Sequence, residues 1–349
     1  MRAVVYHAPH DLRLENIPQP AVPPDSLLLR VGSSSICGTD LRIYHGAHRM
    51  YPAGTTRIPG HEVAGEIVEV GSQVKGLHAG QQVFVAPNMG CGHCQQCVSG
   101  RNNLCADFTA FGINMDGSFA EYMLVPPAAI RQGNLIPISA DLDPAVAALI
   151  EPFACVLRGQ DAVNVRVGDS VLVIGAGPIG IMHVLLARLR GAGKVILSEL
   201  LPERLEQARR FDPDRLVNPA EENLAGAIAE ETQGRGVDVI QIAAPAHRAQ
   251  EEALDLAAIG GRINFFGGLP KDRPNITFNS NTVHYKELLV TGTTACSTSD
   301  CRRAAEIVLS GRVDLSGLVS ARFLLEEVDE AFALAEARGV LKVVFDLDR

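Results

Sequence analysis

The sequence contains no basic cluster and no long apolar run, and both absences narrow what the protein can do. Its 349 residues carry a net charge of -9 with no lysine run, so nucleic acid and anionic membranes are poor partners. Charged residues interrupt every apolar run well before the ~20 residues that a membrane-spanning helix needs. The first residues, MRAVVYHAPHDLRLENIP, lack the apolar segment of a signal peptide or membrane anchor. We therefore expect a cytoplasmic protein that binds small molecules, with no nucleic-acid or membrane partner.

The chain is long enough for two domains, and its pattern changes near the middle. A length of 349 residues exceeds the size at which one hydrophobic core stops growing. Up to about residue 147, β-rich runs such as SLLLRVG alternate with Gly and Pro turns, which predicts a β-rich domain. From about residue 169, strand-like runs alternate with helix-length segments, which predicts a parallel sheet of about six strands with helices on both faces. Residues 297–349 leave this alternation and are expected to rejoin the first domain.

A glycine-rich motif opens the alternating region. VLVIGAGPIG has the G-x-G-x-x-G spacing directly after an apolar strand and at the start of a helix. Glycines at these positions permit a tight turn, close approach of the backbone to a pyrophosphate, and close packing of the helix on the strand. The predicted dinucleotide-binding residues of this turn are Gly175, Gly177, Pro178, Ile179 and Gly180.

An acidic residue at the end of the next strand points to the identity of the cofactor. Glu199 follows Gly180 by nineteen residues, at the end of KVILSEL, where a carboxylate can accept hydrogen bonds from both ribose hydroxyls. The same carboxylate would repel a 2'-phosphate, which favours NAD over NADP. Glu199 could instead be a solvated strand end. Arg204 lies near enough in sequence to contact a phosphate, although a surface position on the following helix is the simpler expectation.

Four cysteines lie within fifteen residues, in CGHCQQCVSGRNNLC. Disulfides are rare in the reducing cytoplasm, and a single Cys-x-x-Cys redox pair would leave two of these cysteines unexplained. Four thiolates at this spacing close a tetrahedral shell, which is typical of structural zinc and leaves no position for substrate. The predicted ligands of this zinc are Cys91, Cys94, Cys97 and Cys105.

Four further residues are individually unremarkable. Cys37 in SSICGTDLR could be a small core residue. His61 and Glu62 in PGHEVAGEIVEVG could belong to a turn, and Glu151 in ALIEPFAC could begin a helix. Their interpretation depends on the rest of the chain.

Taken together, these motifs resemble the zinc-dependent medium-chain dehydrogenase/reductase superfamily. The resemblance extends over essentially the whole chain through ICGTD, GHEVAGEIVEVG, the four-cysteine segment, GSFAEY, IEPFAC and VIGAGPIG. It implies a GroES-like catalytic domain at residues 1–147 and 293–349, with a structural zinc lobe at about 88–108. It also implies a Rossmann NAD-binding domain at 148–292, with the active site in the cleft between the two domains.

The resemblance further implies roles for individual residues. Cys37 and His61 would bind a catalytic zinc, the second zinc of the chain, and Glu151 stands where ethanol-type members have another cysteine. In the polyol and threonine dehydrogenase branch, the residue matching Glu62 coordinates zinc and the IEP glutamate can replace it or hold the zinc-bound water. We therefore expect at most one of these glutamates to bind zinc at a time. Thr39 matches a hydroxyl that relays the alcohol proton, although it could simply cap its own loop.

The substrate is less clearly indicated than the reaction. Threonine dehydrogenases usually have C-G-T-D-x-H, but this chain has Arg42 at the histidine position. His45 could replace that histidine or could be a surface residue. Arg42, Arg49 and Arg57 leave a phosphorylated substrate open.

The leading hypothesis is NAD-dependent oxidation of a secondary hydroxyl of a polyol, such as a sugar alcohol or cyclitol, to the ketone. The alternatives are an L-threonine or amino-alcohol 3-dehydrogenase and a sugar-phosphate alcohol dehydrogenase. A non-catalytic dinucleotide-binding or redox-sensing protein would need no open zinc site. The resemblance also implies a homotetramer or homodimer.

Overall fold

The structure is a computed structural model that describes residues 1–337 and 339–347. Its strands are β1 Arg2–Ala8, β2 Asp11–Asn16, β3 Leu27–Ser35, β4 Glu62–Val70, β5 Gln82–Val85, β6 Asn88–Met89, β7 Thr109–Ala110, β8 Tyr122–Val125, β9 Leu135–Pro137, β10 Ser170–Ile174, β11 Lys194–Ser198, β12 Arg215–Val217, β13 Val237–Ile242, β14 Ala257–Phe265, β15 Leu289–Gly292, β16 Val319–Phe323 and β17 Lys342–Asp346. None of the helices in the described ranges has the length and apolar character needed to cross a bilayer.

Helices connect many of these strands. The α-helices are α1 Gly38–Tyr44, α2 Gln95–Val98, α3 Pro127–Arg131, α4 Pro144–Ala148, α5 Ile150–Ala162, α6 Pro178–Leu189, α7 Pro202–Ala208, α8 Leu224–Thr232, α9 His247–Leu256, α10 Ser280–Tyr285, α11 Thr298–Leu309 and α12 Val328–Glu336. Short 3-10 helices lie at Asn102–Leu104, Arg209–Phe211, Ser316–Leu318 and Leu325–Glu327.

The chain divides into two compact units, Met1–Ala154 with Ala295–Arg349, and Cys155–Thr294. In the first unit, the described residues form a seven-stranded sheet of order β16-β17-β3-β4-β5-β9, with β8 also paired to β3. The long strand β3 is antiparallel to β4 and β17. The last strand of the chain therefore lies beside one of the first.

In the second unit, the described residues form a parallel sheet of six strands in the order β12-β11-β10-β13-β14-β15. Numbered within the unit, this order is 3-2-1-4-5-6, which is that of a dinucleotide-binding Rossmann sheet. Buried aliphatic side chains from β10, β11 and β13 form its centre, including Leu172, Ile196 and Ile240. The predicted α/β fold class, a β-rich domain with a doubly wound parallel sheet, is confirmed.

The glycine-rich turn lies between β10 and α6. Gly175 has φ +105°, a conformation that L side chains rarely adopt. A Cβ on Gly180 would lie 1.7 Å from the Gly175 carbonyl oxygen, so only glycine fits there. Gly177 is the N-cap of α6 and Pro178 is its first residue. The backbone N–H groups at this helix start suit a pyrophosphate.

A buried histidine on α6 will make the second unit sensitive to acid. Burial lowers the pKa of His183 to about 3, with a smaller contribution from Arg190. Below about pH 6.5, the ordinary pKa of histidine, the unfolded chain binds a proton at this residue, whereas the folded chain stays unprotonated down to about pH 3. The free energy of unfolding therefore decreases as the pH falls from about 6.5 towards 3. At pH 5 the loss is about 2 kcal/mol.

Urea unfolding at pH 7 and pH 5 measures this loss. We expect His183→Gln to reduce the difference in unfolding free energy between the two pH values, whereas the exposed-site control His78→Gln leaves it unchanged. Equal pH dependence in all three proteins would contradict the prediction.

Candidate active site

The pairing of β3 with its neighbours brings distant residues of the first unit together. Ser35 at the end of β3 is opposite Glu62 at the start of β4. Cys37 follows β3 by two residues and is the N-cap of α1. Ser35 is also opposite Val344 of β17, so the start of the last strand lies beside the same end of β3 as Glu62.

Cys37, His61 and Glu62 form one cluster. One ligand atom from each residue lies within 4.8 Å of the others. His61 and Glu62 are buried, with 6% and 0% exposure. His61 Nδ1 and Glu62 Oε1 are buried without a hydrogen-bond partner in the structure. Such atoms are costly unless something binds them, and a thiolate, an imidazole and a carboxylate are donors that zinc accepts. The cluster therefore fits a zinc ion.

Asp40 supports this cluster, and the sequence analysis does not include it among the site residues. Its Oδ2 accepts a 2.8 Å hydrogen bond from the Cys37 backbone N–H. Its Oδ1 lies 3.4 Å from His61 Nδ1, without hydrogen-bond geometry. Burial lowers the pKa of His61, but Asp40 and Cys37 raise it more, so the pKa lies well above its usual value. The only sequence signal for Asp40 is its place three residues after Cys37.

Lys342 is a second residue that sequence reasoning missed. It begins β17, is 4% exposed, and its Nζ lies 2.5 Å from Glu62 Oε2. Nζ also donates to the Ile36 carbonyl at 3.0 Å. Burial opposes its charge, but Glu62 and Cys37 outweigh burial and raise the pKa of Lys342. A lysine 280 residues from its partner carries no sequence signal.

Glu151 lies in the first turn of α5 and is 7% exposed. It is outside the cluster of Cys37, His61 and Glu62, and its Oε1 lies 3.5 Å from Cys296 Sγ. Burial raises the pKa of Glu151, and Glu62 raises it further, while His61 opposes this rise. The two predicted glutamates therefore interact with each other and with His61, but only Glu62 belongs to the compact ligand set.

Thr39 lies in α1 beside an arginine. Arg42 Nη2 donates a 2.9 Å hydrogen bond to Thr39 Oγ1. His45, the other candidate at this position, contacts His10 with ring centroids 4.8 Å apart, and its Nε2 lies against the Glu336 carboxylate. Arg42, and not His45, is therefore the neighbour of the predicted relay hydroxyl.

The four clustered cysteines converge to one point. Cys91, Cys94, Cys97 and Cys105 have their sulfur atoms within 4.8 Å of one another. The distances Cys91 to Cys97 and Cys94 to Cys105 are 4.0 and 3.7 Å, close to the ~3.8 Å edge of a zinc–sulfur tetrahedron.

Backbone N–H groups also point at these sulfurs. The N–H groups of Cys91 and Cys94 donate to Cys105 Sγ and Cys91 Sγ, each at 3.3 Å. The Cys97 backbone N–H is the main cause that lowers the pKa of Cys94 to about 7. Burial raises the pKa of Cys97 to about 12. The shape and the N–H donors fit a tetrathiolate zinc.

Gly90 gives a test of this lobe, here the residues 88–108. A Cβ at Gly90 would lie 2.3 Å from Cys97 Sγ. We expect Gly90→Ala to displace that sulfur, weaken metal retention at the lobe and lower the unfolding temperature by several degrees. Gly38→Ala is the matched control, because nothing lies within 4 Å of its Cβ position. Metal analysis and thermal unfolding of both variants provide the check, and equal behaviour would contradict the prediction.

In the second unit, Glu199 directly follows β11 and lies beside the glycine-rich turn. Its carboxylate accepts hydrogen bonds from the backbone N–H groups of Ala176 and Leu200, both at 2.8 Å. Arg204 Nη1 lies 3.9 Å from Glu199 Oε2, and its side chain is only 18% exposed. The expectation that Arg204 is a surface charge was wrong, because the guanidinium lies against this carboxylate.

Two family models match the chain. "Alcohol dehydrogenase GroES-like domain" matches residues 23–140, and "Zinc-binding dehydrogenase" matches residues 178–310. The first match lies in the β-rich unit and includes the Cys37, His61 and Glu62 cluster and the four-cysteine lobe. The second begins at Pro178, in the glycine-rich turn.

Several proteins are similar over their whole length. An L-threonine 3-dehydrogenase of Rhizobium etli is 33% identical, covering 99% of this chain and 98% of the relative. The structure of a zinc-binding dehydrogenase from Sinorhizobium meliloti, bound to NADP, has a TM-score of 0.91 and 34% identity, covering 99% of this chain and 98% of the relative. Galactitol-1-phosphate dehydrogenase from Escherichia coli has a TM-score of 0.88 and 26% identity, covering 99% and 100%.

Proposed function

Because the chain belongs to the zinc-dependent medium-chain alcohol dehydrogenase family, we propose that it oxidises the secondary hydroxyl of a small molecule and passes the hydride to NAD. The observation that carries this proposal is the buried cluster of Cys37, His61 and Glu62, whose orphaned donor atoms suit a metal. We propose L-threonine, or a related 3-hydroxy-2-amino compound, as the first substrate to test, since the threonine 3-dehydrogenase relatives cover nearly the whole chain.

The proposed ligands of the catalytic zinc are Cys37, His61 and Glu62, with Glu151 as the exchanging carboxylate. Four sulfurs of the lobe would hold a second zinc. When bound, the catalytic zinc supplies Lewis acidity that makes an alcohol hydroxyl more acidic. The chain's own contribution is to orient the ligands: Asp40 accepts from the Cys37 backbone N–H at 2.8 Å, and Lys342 holds Glu62 at 2.5 Å.

We propose that Thr39 takes the alcohol proton. Because Arg42 donates to Thr39 Oγ1, the oxygen keeps one lone pair for a substrate hydroxyl and its own O–H for the next acceptor. A guanidinium stays protonated, so Arg42 orients this hydroxyl but cannot receive its proton. The proton must leave through another group.

A polyol, with or without a phosphate, is the second candidate substrate. Arg42 is exposed and forms no ion pair with a carboxylate in the part of the chain that the structure describes. Such a guanidinium can donate two parallel hydrogen bonds to one phosphate group. The similarity to galactitol-1-phosphate dehydrogenase supports testing this class. Arg57 is less suited, because it donates to the carbonyl oxygens of Met50 and Ile113.

NAD is the proposed cofactor because of Glu199. Its carboxylate, 10% exposed beside the turn, would repel a 2'-phosphate. The NADP-bound relative makes NADP the competing cofactor, with Arg204 as the nearby cation. We expect Glu199→Ala to lower the ratio of kcat/KM for NAD over NADP at least tenfold, or ~1.4 kcal/mol, measured with the best alcohol.

A second copy of the chain is the proposed partner, in a homodimer or homotetramer. Strand β15 is an edge of the six-stranded sheet, and an exposed edge can pair with another strand. Exposed apolar side chains on this unit support the proposal: Ile259 is 81%, Tyr285 77% and Leu289 48% exposed. A cytoplasmic location remains part of the proposal because reduced thiols are needed as ligands. Light scattering of the purified chain tests the oligomer.

Initial rates of NADH formation test the function. The panel comprises L-threonine, simple amino alcohols, sugar alcohols, cyclitols and sugar-alcohol phosphates, with zinc measured in the same sample. Strong turnover of one class fixes the substrate. Absence of turnover with NAD and with NADP on every compound, in a sample containing both zincs, would contradict the proposed function.

A further inference from the structure

A buried thiol outside the ligand motifs lies against Glu151. Cys296 has no exposed surface, and its Sγ lies 3.5 Å from Glu151 Oε1, in position to donate an S–H hydrogen bond. A thiol is a weak donor. In a buried site, however, a fixed donor decides which way a carboxylate faces, since few competing partners are available.

The backbone around Cys296 is fixed by the four-cysteine lobe. Asn88, three residues before Cys91, donates from Nδ2 to the Cys296 carbonyl oxygen at 2.9 Å. Asn102, three residues before Cys105, accepts from the Thr298 backbone N–H at 3.0 Å and donates to the Asn88 carbonyl at 2.9 Å. These buried amides connect the lobe to the segment that contains Cys296.

A second buried thiol lies beside Cys296, and a capping box fixes the turn between them. Cys301 Sγ lies 3.4 Å from Cys296 Sγ, and it too has no exposed surface. Ser297 and Asp300 form a capping box at the start of α11, with Ser297 Oγ donating to Asp300 Oδ2 at 2.8 Å. The turn between the two sulfurs is therefore rigid, and Cys296 has little freedom to leave Glu151.

We propose that Cys296 is a positioning residue that orients the Glu151 carboxylate, and that the four-cysteine lobe sets the position of Cys296 through Asn88 and Asn102. The inference rests on the proposed role of Glu151 as the exchanging carboxylate at the catalytic zinc. It gives the lobe a function beyond local stability.

Three substitutions separate positioning from packing. Cys296→Ala removes the donor, Cys296→Ser keeps a donor of similar size, and Cys301→Ala removes the neighbouring sulfur, which is equally buried. The metal environment is measured from the visible absorption spectrum after Co²⁺ replaces the catalytic zinc. The spectrum of Cys37→Ser, which lacks the catalytic metal, is subtracted so that any absorption from the lobe cancels. This readout requires no substrate.

We expect Cys296→Ala to alter the Co²⁺ spectrum and to lower kcat/KM about 10-fold to 100-fold, the usual effect of losing a group that supports a metal ligand. Cys296→Ser should keep a Co²⁺ spectrum and a kcat/KM close to those of the wild type. Cys301→Ala should match the wild type in both measurements. Identical spectra and rates for Cys296→Ala and Cys301→Ala would overturn the proposal.

The connection to the lobe is tested by Asn102→Ala, with Asn102→Asp as the variant that keeps the acceptor for Thr298. We expect Asn102→Ala to change the Co²⁺ spectrum in the same direction as Cys296→Ala while the lobe keeps its zinc. An unchanged spectrum would overturn this part. A wild-type protein that binds only the lobe zinc and oxidises no alcohol would instead refute the proposed function itself.

Discussion

Cys37→Ser will lower kcat by about a thousandfold or more while the protein remains folded. The thiolate is one of three donors in the cluster, and metal polarisation of the reacting oxygen contributes several kcal/mol, at about 1.4 kcal/mol per tenfold in rate. Cys37 is only partly buried, and the Asp40 carboxylate accepts from its backbone N–H, a bond that serine keeps. The local structure should therefore tolerate serine.

Steady-state rates, bound zinc and thermal unfolding of the same sample check this prediction. We expect the variant to lose the catalytic zinc and to keep the lobe zinc. Cys94→Ser is the contrasting variant: it should lose the lobe zinc and lower the unfolding temperature first. Full activity of Cys37→Ser without a catalytic zinc would show that the proposed mechanism is wrong.

Lys342→Met will lower the free energy of unfolding by about 3–5 kcal/mol, the typical cost of removing one partner of a buried ion pair. Glu62 has no exposed surface, and Lys342 is its cation at 2.5 Å. Methionine fills a similar volume but leaves the carboxylate charged and buried. We also expect weaker retention of the catalytic metal, because Glu62 loses the group that orients it.

Urea unfolding of the metal-free protein and metal titration measure the two effects. Lys75→Met is the control, because Lys75 is an exposed lysine of the same unit. The double variant Glu62→Gln with Lys342→Met should recover much of the stability, since no unpaired charge remains. A loss no larger than that of Lys75→Met would contradict the prediction.

The features that the sequence predicts correctly are local. The alternation of strand and helix patterns predicts the parallel sheet, because periodicity along a segment reflects the face that the segment buries. The glycine spacing predicts the turn between β10 and α6, where Gly180 approaches the backbone too closely for a side chain. The four lobe cysteines converge, and their spacing within fifteen residues is that of a loop which wraps one metal ion. In each case the chain connection itself supplies the proximity.

The supporting residues of the first unit could not be predicted in this way. Lys342 reaches Glu62 because β17 and β4 pair with opposite edges of β3, near its end at Ser35. Cys296 reaches Glu151 because two asparagines of the lobe hold the segment before α11. Arg204 turns inwards to Glu199, contrary to the surface position expected from its helix.

The sequence by itself therefore determined the fold class, the family resemblance and the candidate ligands, since these depend on spacing within short segments. Only the tertiary structure decided which groups orient and neutralise those ligands. Contacts such as Glu62 with Lys342 join residues 280 positions apart. They depend on strand order, register and the direction of buried side chains, none of which a local pattern of residue types encodes.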